Sequence, residues 1–196
     1  MTTYFIGVDL GQRQDHTAIA VIERAEGLMM VRHIERVELG TPYPMVVASL
    51  REMVWRQEVR GRCALVVDGT GVGAPVVDML RRAGLGCEIT AVTITGGERE
   101  HRSGGGQRVT VPKRDLMAGV QVALEQGDMR IARRLKQAGS LVRELVDVRM
   151  TAGLWSGRVR FGADGYGEHD DLVVALALAC WRARRREVGE RGQRLL

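Results

Sequence analysis

Tyr4-Phe5-Ile6-Gly7-Val8-Asp9 reads as a strand whose last residue is a carboxylate, and Cys63-Ala64-Leu65-Val66-Val67-Asp68 repeats that pattern far downstream. The second run is apolar throughout, as a central strand buried on both faces would be. In the first, Phe5, Gly7 and Asp9 share one face by the two-residue period of a strand. A carboxylate in such a position is costly unless something neutralises it. A third acidic element, His169-Asp170-Asp171, heads the apolar run Leu172 to Trp181, and Asp15 lies just past the first strand. Acidic side chains at two strand ends and one helix start can converge on divalent cations.

Outward from these runs, residues 17–24 and 28–37 read as strands with β-branched and apolar content. Short connections make them, with 4–10, an antiparallel meander. Pro42 and Pro44 open a helix over 44–58, with Met45, Val46, Leu50, Met53 and Val54 at helical spacing. Gly69-Thr70-Gly71-Val72-Gly73 turns the chain from strand 63–68 into a helix over 74–83, and a strand over 87–94 follows. Residues 95–108, glycine-rich and charged, read as a mobile loop or flexible hairpin. Then come a helix at 112–126, a short segment Met129-Arg130-Ile131, a helix at 133–148, a hairpin around Trp155, Val159 and Phe161, and a last helix starting near Glu168. This order predicts an α/β chain of the ribonuclease H-like fold: a mixed central sheet, three antiparallel strands and then parallel ones, flanked by helices. In that fold the first and fourth strands, here 4–10 and 63–68, lie side by side and parallel, and right-handed crossover keeps the arrangement compact, with Asp9 and Asp68 at neighbouring ends.

Each acidic residue also has a plain structural reading. Asp9 and Asp68 could serve turns at strand ends, and Asp170 or Asp171 could cap the last helix. The conjunction of all of them in this order favours chemistry. Hard oxygen donors select Mg²⁺ or Mn²⁺ over zinc. Two such ions, roughly 3.5–4 Å apart, activate water and stabilise the leaving oxygen of a phosphodiester. In that arrangement Asp9 bridges the ions, Asp68 holds one, and Asp171 or Asp170 holds the other. Asp15 adds an outer ligand or only caps its turn. His169 could orient a water or a phosphate, or simply be a solvated histidine beside a helix.

The chain has 196 residues, enough for one domain over 1–196 with a substantial core. Mean hydropathy is −0.10, and the run Leu172 to Trp181 is about half of the roughly 20 residues that cross a bilayer, so no membrane partner is expected. No signal pattern opens the chain, which predicts an intracellular, cytoplasmic location. Cys63, Cys87 and Cys180 are odd in number and lie in apolar stretches, as buried thiols do. The net charge of +5 comes almost wholly from arginine, since Lys113 and Lys136 are the only lysines. Arginine forks suit phosphate oxygens, so a polyanionic partner is favoured.

Gly7-Val8-Asp9-Leu10-Gly11 through Asp15-His16-Thr17-Ala18 resembles the first-strand motif of phage large terminase nuclease domains. Val66-Val67-Asp68-Gly69-Thr70-Gly71 is similar to their second acidic motif. Pro112-Lys113-Arg114-Asp115-Leu116 and Gly127-Asp128-Met129-Arg130-Ile131 resemble the segment before the third, and His169-Asp170-Asp171-Leu172 resembles the helix that closes the site. The resemblance spans residues 4–181. It implies a metal-dependent endonuclease that cuts double-stranded DNA during genome packaging in a bacterial host. Its implied partners are a packaging ATPase, a small terminase subunit and a portal. No Gly-x-x-x-x-Gly-Lys-Ser/Thr loop occurs, so the expectation is an excised nuclease domain or a free-standing relative whose partner supplies the motor. Val174 stands where many relatives place a further aspartate, which puts the third ligand on Asp170 and Asp171.

Lys113 could contact the scissile phosphate, and Arg99, Arg102, Arg108 and Arg114 could clamp a duplex backbone. The plain readings are a solvated lysine and an ordinary charged loop. A basic tail, 182–196, loses the apolar periodicity and is read as frayed or solvent-facing. Few aromatic residues interleave with the arginines, which favours duplex over stacked single strands. Two rivals keep the fold: a RuvC-type Holliday junction resolvase, which would act as a symmetric dimer, and a non-catalytic DNA-binding module, which would bind no Mn²⁺. Actin-like ATPases share the Gly-Val-Asp-Leu-Gly start but need a second domain for which the chain has no room.

Overall fold

Alternation of apolar residues on both faces of the first strand places it mid-sheet, and there it lies. β1 (Thr3–Asp9) pairs antiparallel with β2 (Ala18–Ala25) on one side and parallel with β4 (Cys63–Asp68) on the other. The structure, a computed structural model, describes residues 2–11, 15–70, 73–103, 108–153 and 170–193. Further elements are β3 (Leu28–Arg36), α1 (Tyr43–Val54), α2 (Gly73–Arg82), β5 (Glu88–Thr95), β6 (His101–Ser103), β7 (Arg108–Pro112), α3 (Lys113–Glu125), β8 (Met129–Ile131), α4 (Ala138–Gly153) and α5 (Asp171–Gln193). The eight strands form one mixed sheet in the order β6-β7-β5-β4-β1-β2-β3-β8. The register Gly7↔Val66 and Val8↔Val67 sets the ends of β1 and β4 side by side, as the predicted fold has them.

The two faces of β1 belong to different cores. Ile6 and Val8 pack with Leu65, Val67, Val46, Leu50, Val76 and Leu80 under α1 and α2. Phe5 faces the other way with Ala18, Ala20, Val66 and the whole of Leu172–Cys180. Every residue from Leu172 to Cys180 is at most 4% exposed, so the first part of α5 is an apolar rod enclosed on all sides. Small residues let it come close. A Cβ on Gly7 would lie 2.0 Å from the carbonyl oxygen of Ala175, so the α5 backbone rests directly on β1.

Three expectations change. Arg108–Pro112, read as loop and helix start, is strand β7, parallel to β5 and antiparallel to β6. Val109 and Val111 are buried there, but five residues behind a glycine run carry too short a period to read. The segment Met129–Ile131 is a strand parallel to β3. The helix expected at 133–148 begins at Ala138, after turns in which the Gln137 side chain accepts the Arg36 backbone N–H at 2.9 Å.

The basic tail continues α5 as helix to Gln193. Three of its arginines are anchored: Arg182 Nη2 donates to Glu88 at 2.6 Å and Arg184 Nη1 to the Gly119 carbonyl at 2.8 Å. Arg185 pairs with Glu100 and stacks over Trp181. Cys180 is buried, whereas Cys63 and Cys87 are half-buried. The expected hairpin around Trp155, Val159 and Phe161, the helix start near Glu168, and His169 lie outside the described residues.

Candidate metal and phosphodiester site

Asp9 is the last residue of β1, on the face that meets α5. Pleating alternates Phe5, Gly7 and Asp9 toward that helix, and Gly7 lets the helix start come near. Asp68 ends the neighbouring parallel strand. Asp170 and Asp171 stand where α5 begins, and Lys113 begins α3 directly after β7. Four carboxylates from three distant segments thus meet near one lysine at the carboxyl ends of the two central strands.

The electrostatics record the crowding. Burial holds the Asp9 carboxyl well above the usual carboxylate range, and Asp68, Asp171 and Asp170 push it further up, while Lys113 pulls it down. Burial likewise raises Asp68, against hydrogen bonds from Thr70 and the charge of Lys113. One Asp68 oxygen accepts the Thr70 backbone N–H at 2.8 Å, so this residue does serve its turn as well. The strand-end reading and the site reading are therefore both satisfied at Asp68.

Asp170 and Asp171 face protein cations. Lys113 Nζ donates to Asp170 Oδ2 at 2.5 Å. Asp171 Oδ2 lies 3.3 Å from Arg36 Nε, and Asp171 is 8% exposed. Among the described residues, no three carboxylate, histidine or cysteine side chains stand as a finished metal-holding group. The donor set nevertheless fits a hard divalent cation. It is all carboxylate, and Asp9 carries a burial cost that an ion would offset and that Lys113 alone leaves in place.

Two residues of the site gave no readable signal in sequence. Glu144, on α4, is 7% exposed. Its Oε1 accepts from Arg36 Nη2 at 2.5 Å, and its Oε2 accepts the backbone N–H groups of Leu172 and Val173, each at 3.1 Å. Burial raises its pKa to about 7, against those bonds and the charge of Arg36. Arg36 ends β3 and bridges Glu144 to Asp171. Neither stands in a motif, and only packing of α4 beneath the start of α5 joins them.

The remaining predicted residues are more scattered. Asp15 is exposed and lines a pocket with Gly11, Thr17, Glu38, Thr41 and Tyr43; the charges acting on Asp9 are those of Asp68, Asp171, Asp170 and Lys113. Arg99, Arg102, Arg108 and Arg114 are all exposed on or beside the β6–β7 hairpin, whose second strand runs straight into Lys113. Arg102 pairs with Glu100 at 3.2 Å, and Arg114 donates to the Glu98 carbonyl at 3.0 Å. Among the described residues, no helix is long and apolar enough to cross a membrane.

Known proteins share this architecture. The model of the terminase RNase H-like domain family matches residues 6–182. The chain is similar to the large terminase nuclease from thermophilic phage G20c, at 23% identity and a TM-score of 0.57, over 91% of this chain and 81% of that one. The same phage nuclease with bound magnesium aligns at 22% identity and a TM-score of 0.58, over 92% and 82%. The human cytomegalovirus terminase nuclease domain, manganese-soaked and inhibitor-bound, aligns at 12% identity and a TM-score of 0.55, over 91% and 81%. At these identities the structures attest a common fold. No curated protein matches the chain. With nearly its whole length covered by the family model, the chain belongs to the terminase RNase H-like domain family.

Proposed function

We propose that this chain is a divalent-metal-dependent endonuclease that hydrolyses double-stranded DNA during phage genome packaging. The observation that carries the reading is the convergence of Asp9 and Asp68, at the ends of paired parallel strands, with Asp170 and Asp171 at the start of α5 and with Lys113 in contact with Asp170. The family match and the magnesium-bound and manganese-soaked relatives support it. The same match favours packaging over junction resolution.

Asp9, Asp68 and the pair Asp170 and Asp171 would hold Mg²⁺ or Mn²⁺, two ions in all. Bound there, the ions supply an activated water and stabilise the oxygen that leaves phosphorus. Lys113, at the head of α3 and in contact with Asp170, would bind a phosphate oxygen of the cut strand. Arg99, Arg102, Arg108 and Arg114 are exposed along the hairpin that leads to Lys113 and would grip flanking phosphates without reading sequence. A packaging ATPase, a small terminase subunit and a portal are the proposed assembly partners, in the host cytoplasm.

The test is cleavage of supercoiled plasmid with Mg²⁺ or Mn²⁺, and its loss with EDTA. Asp9→Asn and Asp68→Asn should each abolish it while the variants stay folded. Robust cleavage by either folded variant defeats the assignment. A wild-type chain that binds no Mn²⁺ would instead be a DNA-binding module.

A further inference from the structure

An aspartate at the start of a helix normally turns back on itself. As N-cap it accepts the backbone N–H of the second or third helical residue and satisfies donors the helix leaves open. Asp170 occupies that position in α5: its backbone carbonyl accepts the Val174 N–H at 2.9 Å, the first bond of the helix. Its side chain does something else. The N–H groups of Leu172 and Val173 go to Glu144 Oε2, at 3.1 Å each, and the Asp170 carboxylate goes to Lys113 at 2.5 Å.

We infer that Glu144 is a surrogate cap, a positioning residue that takes over the helix start so that Asp170 and Asp171 can face the site. The geometry is specific. Glu144 reaches α5 from α4, 28 and 29 residues earlier than the two amides it serves, so the cap is a tertiary contact. Its other oxygen is held by Arg36, whose Nε lies beside Asp171 Oδ2. One arginine therefore holds the cap by a hydrogen bond and lies in charge contact with one of the site carboxylates. Without Glu144, the two amides sit at a buried helix end as unsatisfied donors, each bearing its full desolvation penalty. Asp170, as the N-cap, is the residue whose side chain ordinarily relieves it, and in doing so it leaves Lys113.

This role rests on the metal-site reading above, and its test separates the two. The crystal structure of the metal-free Glu144→Ala variant of the full chain should show the Asp170 carboxylate turned onto the Leu172 and Val173 amides and away from Lys113. Mn²⁺ affinity, followed by calorimetry, should fall tenfold or more, the range seen when a partner that orients a ligand is removed. Plasmid cleavage should lose kcat with KM for DNA little changed. Glu144→Gln keeps an oxygen for the amides but presents its NH₂ to Arg36, so it should stay folded and fall between wild type and Glu144→Ala; it carries the test if the alanine variant does not fold. An Asp170 that stays on Lys113 in Glu144→Ala overturns the inference. So does Mn²⁺ affinity equal to wild type in the folded variants. If the wild type neither binds Mn²⁺ nor cuts DNA, the nuclease reading fails, and the position of Asp170 in the Glu144→Ala crystal still decides the capping role.

Discussion

Asp9 is the residue whose chemistry is most exposed to experiment. Its folded pKa lies above its unfolded one, because burial and three neighbouring carboxylates disfavour the charged form. In the window between those two values the folded chain holds a proton that the unfolded chain has lost. The metal-free protein should therefore lose stability as pH rises through that window, and the loss should be complete above the folded pKa. Thermal melts from acid to neutral pH should show this fall in wild type and a smaller one in Asp9→Asn. Mg²⁺ at about a hundred times its dissociation constant should restore about 2.7 kcal/mol in wild type. Asp9→Asn should show no such gain, and an equal Mg²⁺ effect in both proteins would remove Asp9 from the ligand set. Asp68 shares the direction of shift but also holds the Thr70 turn, so Asp68→Asn should be the less clean variant, with some loss of stability of its own.

Among elements, α5 has the greatest influence. It lies across β1, β2 and β4 and against α3 and α4, and it delivers Asp170 and Asp171 to the ends of β1 and β4. Its depth is set by one glycine. In Gly7→Ala the new methyl would meet the Ala175 carbonyl and the Ala179 amide at 2.0 and 2.7 Å, both backbone atoms that cannot swing aside. The helix must then retreat from β1. Gly7→Ala should cost about 1–3 kcal/mol or more in urea unfolding, the range for overpacking a core. It should also weaken Mn²⁺ binding, because retreat carries both aspartates away from Asp9. Leu176→Ala removes a fully buried side chain from the same helix and should cost about 2–5 kcal/mol. Since its side chain does not bear on the backbone contact with β1, its effect on Mn²⁺ affinity should be small by comparison.

Over the whole molecule, the acidic cluster sits at the ends of the central strands, and exposed arginines lie on the hairpin that leads toward it. The net charge of +5 favours DNA in general, whereas local grip should come from particular side chains. Binding of a duplex, measured by anisotropy in Ca²⁺ to prevent cutting, should weaken steeply as salt rises and vary little with sequence. Replacing Arg99 or Arg108 by alanine should lower the slope of log K against log salt by about 0.9 for each phosphate the protein no longer neutralises. Arg182, Arg184 and Arg185 are bound to Glu88, Gly119 and Glu100, so their replacement should cost stability while leaving that slope nearly unchanged. A slope unmoved by the hairpin variants and lowered by the helix ones would relocate the DNA path to α5.

Much of this was legible in the chain alone. The two strands ending in Asp9 and Asp68 and the enclosed helix after Asp171 follow from apolar patterning, a local property of sequence, and the parallel pairing of the strands follows from the order of the elements, which matches one known fold. The family motifs lie on those same strands. Strands β7 and β8 escaped because so few residues carry no readable period, and their pairing is fixed by neighbours far along the chain. Arg182, Arg184 and Arg185 looked solvated because their partners, Glu88, the Gly119 carbonyl and Glu100, lie on other elements. Whether Asp170 caps its helix or serves the site could not be read locally either, since both uses suit the same residue at the same position. That choice falls to Glu144 and Arg36, which reach the helix start only when α4 and β3 pack against α5, and an interaction made by packing leaves no pattern in the residues that make it.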